Sequence, residues 1–271
     1  MKFGKAAAGL ALAAALALPL AQPARAQDVL AVDGRNFWSE AAARVVGGGT
    51  TYVSLRTVAG LLAPDAQVTW EQGAAWVRGE GVTLSARPGD QWLTVNDRAL
   101  YIPHGVLLEG GRTLVPVRVL AEALGATVDW SRDRGVTLTP GSGRAAAPAY
   151  TAEELYWMSR IISAESRGEP LLGKIAVGTV VLNRVASKEF PNSIYDVIFD
   201  RKWGVQFQPV ANGAIYDAPT EESVLAAKLV LEGARAAGDS LYFLAPDLTN
   251  NHWIMHNREF VVTIGCHWFY L

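Results

Sequence analysis

The chain contains an internal repeat, and this repeat constrains the fold more strongly than any other feature of the sequence. Residues 51–62 return as residues 113–124, at a constant offset of 62. A Val-x-Trp triplet follows each copy, at residues 68–70 and 128–130. A match of this length predicts that one supersecondary unit is used twice.

Each copy is predicted to form a strand, a helix and a second strand. In the first copy Val53 and Leu55 alternate as in a short strand, and the apolar residues at 58, 61 and 62 then recur with helical spacing. Further alternating runs predict strands at residues 75–77, 82–84, 92–95 and 136–138. Because neither copy alone has enough apolar surface for a core, we expect the two to bury one shared face.

The second copy carries the fuller motif, with Val-Pro-Val-Arg at residues 115–118, Leu-Gly at 124–125 and Trp130 at its end. This pattern resembles the copper amine oxidase N-terminal-like domain. In the first copy Ser54 replaces the proline of the motif and Gly60 replaces its glutamate. The resemblance implies a stalk or binding module rather than a metal site.

Two arginines, Arg56 and Arg118, occupy equivalent positions in the copies. Either they bind a ligand, or each ties its helix to the strand of its own copy, and the repeated placement favours the structural interpretation. Residues 27–140 contain one histidine, His104, and no cysteine, so no cluster of soft or imidazole metal ligands is predicted there.

The first 26 residues are typical of a secretory signal peptide. Lys2 and Lys5 form a basic start, an Ala- and Leu-rich run follows, and residues 24–26 read as a small-x-small cleavage site. Because Pro19 interrupts the apolar run before it could span a bilayer, we expect an exported protein whose mature form has no integral membrane segment.

Residues 141–150 consist of turn-forming and small residues, which predicts a linker. The linker separates a repeat domain at 27–140 from a second domain at 151–271. A single cysteine excludes an intramolecular disulfide, and a formal net charge of -2 argues against a nucleic-acid-binding protein. We predict no metal or cofactor for either domain.

The second domain is predicted to be mainly helical. Thr-Ala-Glu-Glu at residues 151–154 is a capping box for a helix that runs to about Glu165, and Gly168 and Pro170 follow it. Helices are also predicted over residues 172–185 and from Thr220 onward, and short strands over 241–244 and 260–264. The expected fold class is therefore α+β, with a repeat-built α+β domain followed by a mainly α domain.

Glu165 is the most informative position of this domain. It lies at the end of a helix behind Ile161 and Ile162, where partial burial would raise the pKa of a carboxyl group. A carboxyl that keeps its proton near neutral pH can donate it to a leaving oxygen, as cleavage of a glycosidic bond requires. A lone glutamate in a helix is, however, more commonly a solvated surface residue.

A long segment of the second domain resembles the SleB-type cell-wall hydrolases, the spore cortex-lytic enzymes. The resemblance begins with Ile-Ile-Ser-Ala-Glu-Ser-Arg-Gly-Glu-Pro at residues 161–170 and continues in the same order to the C-terminus. The further matching segments are residues 173, 176–177, 180–185, 190–191, 194–198, 206–210, 226–227, 236–238, 241–243 and 264–270.

This resemblance implies a lysozyme-like domain that cleaves peptidoglycan between N-acetylmuramic acid and N-acetylglucosamine, with Glu165 as the catalytic acid. Glu169, beyond the helix end, is the rival for that role, although we expect it to hold the turn through Arg167 or Arg184. Because no obvious second carboxylate accompanies Glu165, we favour a lytic transglycosylase that forms 1,6-anhydro ends. The expected settings are wall remodelling or cortex lysis during germination.

Other functions remain open at this point. A hydrolytic N-acetylmuramidase would need a second acid, for which Asp196, Asp200 and Asp217 are weak candidates. A non-catalytic wall or spore-coat protein would bind glycan with both halves. We expect glycan strands as the partner and the cell wall, extracellular space or spore envelope as the location, and an accessory wall or spore protein stays an open partner.

The resemblance and the residue chemistry suggest a set of substrate contacts. An amide beside an aromatic ring suits a sugar, which singles out Gln206 and Phe207, although Phe207 fits a core position equally well. Asn183 could orient the substrate or the acid. Tyr242 and Trp203 are candidate walls of the cleft, and Tyr195 is an alternative.

The remaining histidines and the cysteine suggest two less favoured chemistries. His252 and His256 are spaced like zinc ligands on a helix, but turn-prone residues surround them. Cys266 and His267 are adjacent and would point to opposite faces of a strand, so we expect an inert, buried thiol and a structural histidine rather than a cysteine peptidase.

Overall fold

The computed structural model of the protein describes residues 28–202, 204–248 and 253–271. The predicted signal peptide at 1–26, Trp203 and His252 lie outside the described residues. Within the described part of the chain, no helix is long and apolar enough to span a membrane.

The repeat domain is built from short strands and two helices. In chain order its elements are β1 (Leu30–Val32), β2 (Arg35–Asn36), β3 (Arg44–Val46), β4 (Thr50–Ser54), α1 (Leu55–Leu62), β5 (Gln67–Glu71), β6 (Ala74–Gly79), β7 (Val82–Ala86), β8 (Trp92–Val95), β9 (Arg98–Tyr101), β10 (Leu107–Glu109), β11 (Arg112–Pro116), α2 (Val117–Ala123), β12 (Thr127–Ser131) and β13 (Gly135–Thr139). They form three sheets with the strand orders β10-β11-β4-β3, β12-β13-β1-β2 and β5-β6-β7-β8-β9.

The two copies of the repeat meet along their first strands. β4 and β11 pair antiparallel, and Val53 lies directly opposite Val115, its own equivalent in the other copy. The helices that follow bury Val58 and Leu62 of the first copy and Leu120 and Leu124 of the second in one core cluster. The expectation of a shared apolar face is confirmed.

The paired arginines contact the strands of their own copies. Arg56 Nη1 donates to the carbonyl of Val68 at 2.8 Å, and Arg118 Nη1 donates to the carbonyl of Val128 at 3.4 Å. The valines open the Val-x-Trp triplet in each copy, so both contacts join α1 or α2 to the strand after it. The structural interpretation of these arginines is confirmed.

The second domain contains six helices and a small sheet within its described residues. Its elements are α3 (Ala152–Ser166), α4 (Leu171–Ala186), α5 (Ile194–Ile198), α6 (Gln208–Asn212), a 3-10 turn (Ala214–Tyr216), α7 (Glu221–Leu231), β14 (Tyr242–Leu244), a second 3-10 turn (Pro246–Leu248), α8 (Trp253–Asn257), β15 (Phe260–Ile264) and β16 (His267–Tyr270). β16 lies between β14 and β15. Together the two domains confirm the α+β class.

Sequence signals fix the ends of the main helices. Thr151 caps α3 with its hydroxyl, and Glu154 returns a bond to the Thr151 backbone, as the capping box predicts. The Thr220 hydroxyl caps α7 by accepting from the backbone nitrogen of Ser223, and Glu221 and Glu222 lie in the first turn. Helices α3, α4 and α7 bury a common apolar core that includes Ile161, Ile175 and Leu229.

The segment predicted as a linker has neither helix nor strand and lies along the repeat domain. The backbone of Ala145 donates to the carbonyl of Gly81 at 3.3 Å, and Arg144 forms an ion pair with Glu80. Further contacts join the domains directly, because Ala99 on β9 is 1% exposed and belongs to the core cluster of the second domain.

Candidate active site

Glu165 lies in the last turn of α3 and is only partly exposed. Burial raises the pKa of its carboxyl to about 7, and the positive charge of Arg184 opposes that shift. Within the described residues no hydrogen bond engages this carboxyl. The side chain is therefore about half protonated at neutral pH, and its oxygens are free for another molecule.

Arg184 projects from α4 and is 5% exposed. Its Nε donates to the carbonyl of Leu241 at 2.8 Å, whereas its Nη1 is buried and has no partner in the described part of the chain. Burial lowers the pKa of Arg184 to about 10, and Tyr242, Asp200 and Glu165 act in the opposite direction. The guanidinium thus lies within the electrostatic influence of both Glu165 and Asp200.

Three aromatic rings enclose the Arg184 guanidinium. Its carbon lies 4.8 Å from the ring centre of Phe190, 5.0 Å from that of Phe207 and 5.5 Å from that of Tyr242. Ring faces carry negative electrostatic potential, so they stabilise a cation that has lost its water. We call Arg184 with these three rings the Arg184 pocket.

Tyr242 connects this pocket to a second arginine. The Nη2 of Arg258 donates to the Tyr242 hydroxyl at 2.8 Å, and the Arg258 guanidinium also lies 4.3 Å from the centre of the Tyr242 ring. Tyr242 is only partly exposed and lies on β14. Its position beside Arg184 keeps it a candidate for substrate contact.

Glu169, the rival acid, has a structural position. It is 9% exposed, and its Oε2 accepts a hydrogen bond from the backbone nitrogen of Cys266 at 3.0 Å. Its Oε1 faces His267 Nδ1 at 3.8 Å, which is too long for a hydrogen bond. Glu169 therefore fastens the turn between β15 and β16 to the end of α3, and the expected arginine partners are wrong.

Lys174, and not the predicted arginine, holds the turn after α3. Its ammonium group is buried and donates to the carbonyls of Arg167 at 3.2 Å and of Glu169. It also pairs with Glu222 on α7 at 2.8 Å. A positive charge at the C-terminal end of α3 is favourable, and it fixes the backbone that carries Glu165.

The other predicted substrate contacts divide into two groups. Phe207 is 2% exposed and packs in the core, so its ring face is closed to a sugar and its role as a substrate contact is corrected to a core role. Gln206 is partly exposed and donates to the carbonyl of Gly204 at 3.3 Å, which leaves its amide oxygen available. Trp203 lies outside the described residues.

The side-chain amide nitrogen of Asn183 is hydrogen-bonded within the protein. Nδ2 donates to the carbonyl of Gly238 at 2.9 Å and to that of Ser240 at 3.0 Å. Both donor hydrogens are therefore committed to the loop before β14. This loop leads to Leu241, which accepts from Arg184, so Asn183 supports the Arg184 pocket from the side.

The predicted secondary acids have different surroundings. Asp196 accepts from the Ser193 hydroxyl at 2.6 Å in the cap of α5, so its predicted capping role is confirmed. Asp217 is exposed after the 3-10 turn. Asp200 alone among the three acts electrostatically on Arg184.

The C-terminal thiol and imidazole lie beside Glu169, at and directly after the turn between β15 and β16. Cys266 is exposed, so the expectation of a buried thiol is wrong, because residue 266 falls in the turn and not in a strand. His267 is 7% exposed, and burial lowers its pKa although Glu169 acts in the opposite direction. Among the described residues, no group of three or more His, Cys, Asp or Glu side chains is arranged to hold a metal ion.

Arg184 is the residue of this site that the sequence analysis underrated. It lies in the family-like segment at residues 180–185, directly after Asn183, but there we considered it only as a partner of Glu169. An arginine among five apolar residues of a helix was the available signal, because a buried charge needs a reason.

Comparisons with known proteins match each domain separately. Residues 31–139 match the family described as copper amine oxidase N-terminal domain, and residues 168–270 match the family described as Cell Wall Hydrolase. The second match contains Glu169 and begins three residues after Glu165, so it does not by itself distinguish the two carboxylates.

Curated relatives are similar over the second domain. The chain is 38% identical to a spore cortex-lytic enzyme of Bacillus cereus over 120 residues, which are 44% of this chain and 45% of the relative. It is 35% identical to the spore cortex-lytic enzyme of Halalkalibacterium halodurans over 120 residues, 44% of this chain and 35% of the relative. The chain thus spans less than half the length of these relatives.

A solved structure also matches part of the chain. The chain is 36% identical to the catalytic domain of the germination-specific lytic transglycosylase SleB from Bacillus anthracis, with a TM-score of 0.42. The match covers 46% of this chain and all of that domain. Residues 31–139 are thus similar to the copper amine oxidase N-terminal domain family, and residues 168–270 are similar to the cell wall hydrolase family.

Proposed function

We propose that the second domain cleaves the glycan strands of peptidoglycan between N-acetylmuramic acid and N-acetylglucosamine, with Glu165 as the acid. The observation that carries this proposal is the unengaged carboxyl of Glu165, whose pKa of about 7 keeps it protonated where a glycosidic oxygen needs a proton. The names of the relatives support the substrate class, since they are spore cortex-lytic enzymes.

In the proposed first step, Glu165 donates its proton to the bridging oxygen. The bond between this oxygen and C1 of the muramic acid residue breaks, and the N-acetylglucosamine end leaves as an alcohol. C1 then carries positive charge, while the Glu165 carboxylate is negative. Arg184 stabilises that carboxylate through its charge, which lowers the energetic cost of giving up the proton.

In the proposed second step, the Glu165 carboxylate takes the proton from the 6-hydroxyl of the same muramic acid residue. The oxygen of that hydroxyl bonds to C1, which gives a 1,6-anhydro end and restores the protonated acid. No water is consumed, so a single carboxyl group suffices. The reaction is that of a lytic transglycosylase.

A hydrolytic muramidase is the second candidate, and Asp200 is the observation that favours it. Asp200 acts on the same guanidinium as Glu165, so a second carboxylate is present in the neighbourhood of the acid. As a base toward water, it would deliver a hydroxyl group to C1 and leave a reducing end. We favour the transglycosylase because Asp200 Oδ1 already accepts from the backbone nitrogen of Lys202 at 2.9 Å.

The products of digestion distinguish these candidates. Purified cortex and vegetative sacculi are incubated with the protein in water enriched in oxygen-18, and the soluble fragments are analysed by mass spectrometry. Anhydro ends without the heavy label support the transglycosylase, whereas labelled reducing ends support the muramidase. A binding protein without activity would release no fragments and leave the turbidity of either suspension unchanged.

The setting is part of the proposal. We propose that the protein acts after export, in the cell wall or spore envelope, and that its physiological role is cortex lysis during germination or remodelling of the wall. Faster release of fragments from cortex than from vegetative sacculi would support the first role, and the reverse order would support the second.

A further inference from the structure

A second aromatic cluster lies on the hydrolase domain, separate from the Arg184 pocket. It consists of Tyr156 and Trp157 on α3, Tyr195 on α5, Phe199 directly after α5, and Tyr216 in the 3-10 turn before α7. The three tyrosines are 44%, 45% and 62% exposed, in that order. We call this cluster the aromatic platform.

The rings of the platform hold one another in place. Trp157 is the centre, with ring centroids of Tyr156, Phe199 and Tyr195 at 4.9, 5.1 and 5.3 Å and that of Tyr216 at 6.4 Å. Most of these contacts are edge-to-face, which is a favourable arrangement for aromatic pairs. The tyrosines are thus ordered by packing but remain open to solvent, an arrangement that indicates a binding surface more than a core.

The platform leads toward the candidate active site. Trp157 and Glu165 are eight residues apart on α3, which separates them by about 12 Å along the helix axis and by about 80° around it. Phe199 of the platform directly follows α5, and the next residue, Asp200, acts electrostatically on Arg184. A short oligosaccharide bridges such a distance.

The chemistry of the platform suits an amino-sugar polymer. Tyrosine offers an apolar ring face for the C–H face of a pyranose and a hydroxyl for its polar groups. At one edge, the Arg160 guanidinium lies 3.6 Å from the centre of the Tyr156 ring, and its Nε has no partner in the described residues. This positive charge is complementary to the stem-peptide carboxylates of peptidoglycan.

We propose that the aromatic platform is a distal glycan-binding subsite, which binds a sugar of the strand that is cleaved at Glu165 and so gives the enzyme a preference for long strands. This inference rests on the proposed function. The subsite would strengthen binding of substrate and transition state equally, because it lies away from the reacting atoms. Its loss therefore affects KM and leaves kcat unchanged.

The test compares a variant that lacks the Tyr195 and Tyr216 rings with one that keeps both rings. The variant Tyr195→Ala/Tyr216→Ala loses both exposed rings, whereas the matched control Tyr195→Phe/Tyr216→Phe keeps them. With long glycan strands we expect the alanine pair to raise KM roughly tenfold, which is a weakening of about 1.4 kcal/mol, and the phenylalanine pair to raise it much less. With a disaccharide, which spans only the bond that is cleaved, Tyr216→Ala should match the parent protein.

Binding without cleavage separates this proposal from the proposed function. In a Glu165→Gln background, sedimentation with purified sacculi should show weaker retention of the alanine pair than of the phenylalanine pair. Equal KM values and equal sedimentation would overturn the subsite. If the parent protein releases no fragments from any wall, the proposed reaction fails, while the sedimentation difference still decides the subsite.

Thermal unfolding of each variant checks that the fold is intact. Should the alanine pair unfold at the assay temperature, Tyr216→Ala alone replaces it, since Tyr216 is the most exposed ring and has one ring contact, to Trp157 at 6.4 Å. The same comparison then runs against Tyr216→Phe, with the same expected direction and the same contradicting result.

Discussion

Arg98 of the repeat domain and Glu232 of the second domain form a buried, two-pronged ion pair. Arg98 Nε donates to Glu232 Oε1 at 2.8 Å, and Arg98 Nη2 donates to Oε2 at 2.6 Å. The side chains are 6% and 2% exposed. Nη2 also reaches Glu122 of α2 at 2.7 Å, so one guanidinium joins the second repeat copy to the end of α7.

This ion pair should be essential for the stability of the docked pair of domains. Removing one partner, as in Arg98→Met, leaves the other charge buried without compensation and should cost about 3 to 5 kcal/mol of unfolding free energy. Urea unfolding monitored by tryptophan fluorescence measures that loss.

The exposed pair Arg35 and Glu40 provides the control for charge removal. Its side chains are 69% and 50% exposed, so Arg35→Met should change the unfolding free energy by at most about 1 kcal/mol. The double variant Arg98→Met/Glu232→Met should recover much of the loss. Equal effects of Arg98→Met and Arg35→Met would contradict the importance of the buried pair.

Activity should decline as the pH rises through the pKa of Glu165. The acid must be protonated at the start of the reaction, and its pKa is about 7, so kcat/KM should fall tenfold per pH unit well above that value. Glu165→Gln should abolish fragment release and Glu169→Gln should retain the pH profile of the parent. If Glu169→Gln instead removes the fall of kcat/KM at high pH, Glu169 and not Glu165 is the acid.

The same group should make stability depend on pH. The pKa of Glu165 is raised in the folded state, so protonation of the folded protein contributes stability that is complete below pH 4.5 and is lost as the pH rises to about 7. Relative to the parent, Glu165→Gln should therefore become more stable over this window. Urea midpoints at pH 4.5 and pH 8 measure the difference, and a constant difference would contradict the raised pKa.

Arg184 should tune the acid through its charge. Because Arg184 lowers the pKa of Glu165, Arg184→Met should move that pKa upward, and Arg184→Lys should leave it closer to the parent value. Carbon-13 NMR titration of the Glu165 carboxyl measures the pKa without any need for activity. An unchanged Glu165 pKa in Arg184→Met would show that Arg184 does not influence the acid.

Gly265 should be intolerant of any side chain. Its φ of 60° lies in the left-handed region, and a Cβ there would come within 1.6 Å of Glu169 Oε2. Gly265→Ala should therefore displace Glu169 from the turn and lower the melting temperature by several degrees. Gly213→Ala is the control, because Gly213 also has a positive φ but nothing within 4 Å of the added carbon.

Local patterns predicted most of the elements. The capping box at Thr151, the repeated strand and helix, and the paired arginines each depend on residues close in sequence, and all three have the expected structure. The resemblance alone was enough to select Glu165 as the candidate acid. The groups around it could be identified only from the tertiary structure, because Arg184, Asp200 and Tyr242 come from α4, the loop after α5 and β14.

Errors arose where burial depends on elements distant in sequence. From the sequence, Phe207 fitted a sugar contact and a core position equally well. Only its packing against Arg184 and Phe243 closes the ring to solvent. The error for Cys266 is the reverse. We predicted a buried thiol, but Cys266 lies in a turn and is exposed. The boundaries of the predicted linker at 141–150 and of the signal peptide stay predictions.

The sequence by itself determined the repeat, the helices with their caps, the likeness of the second domain to cell wall hydrolases and the acidic residue at the end of α3. These features are local or depend on matching residue order. Only the tertiary structure decided which carboxylate stays free, which arginine lies beside it, and that Arg98 fastens one domain to the other. The physical reason is that burial and charge coupling are set by side chains far apart in the chain, and their separation in space is not written in their spacing.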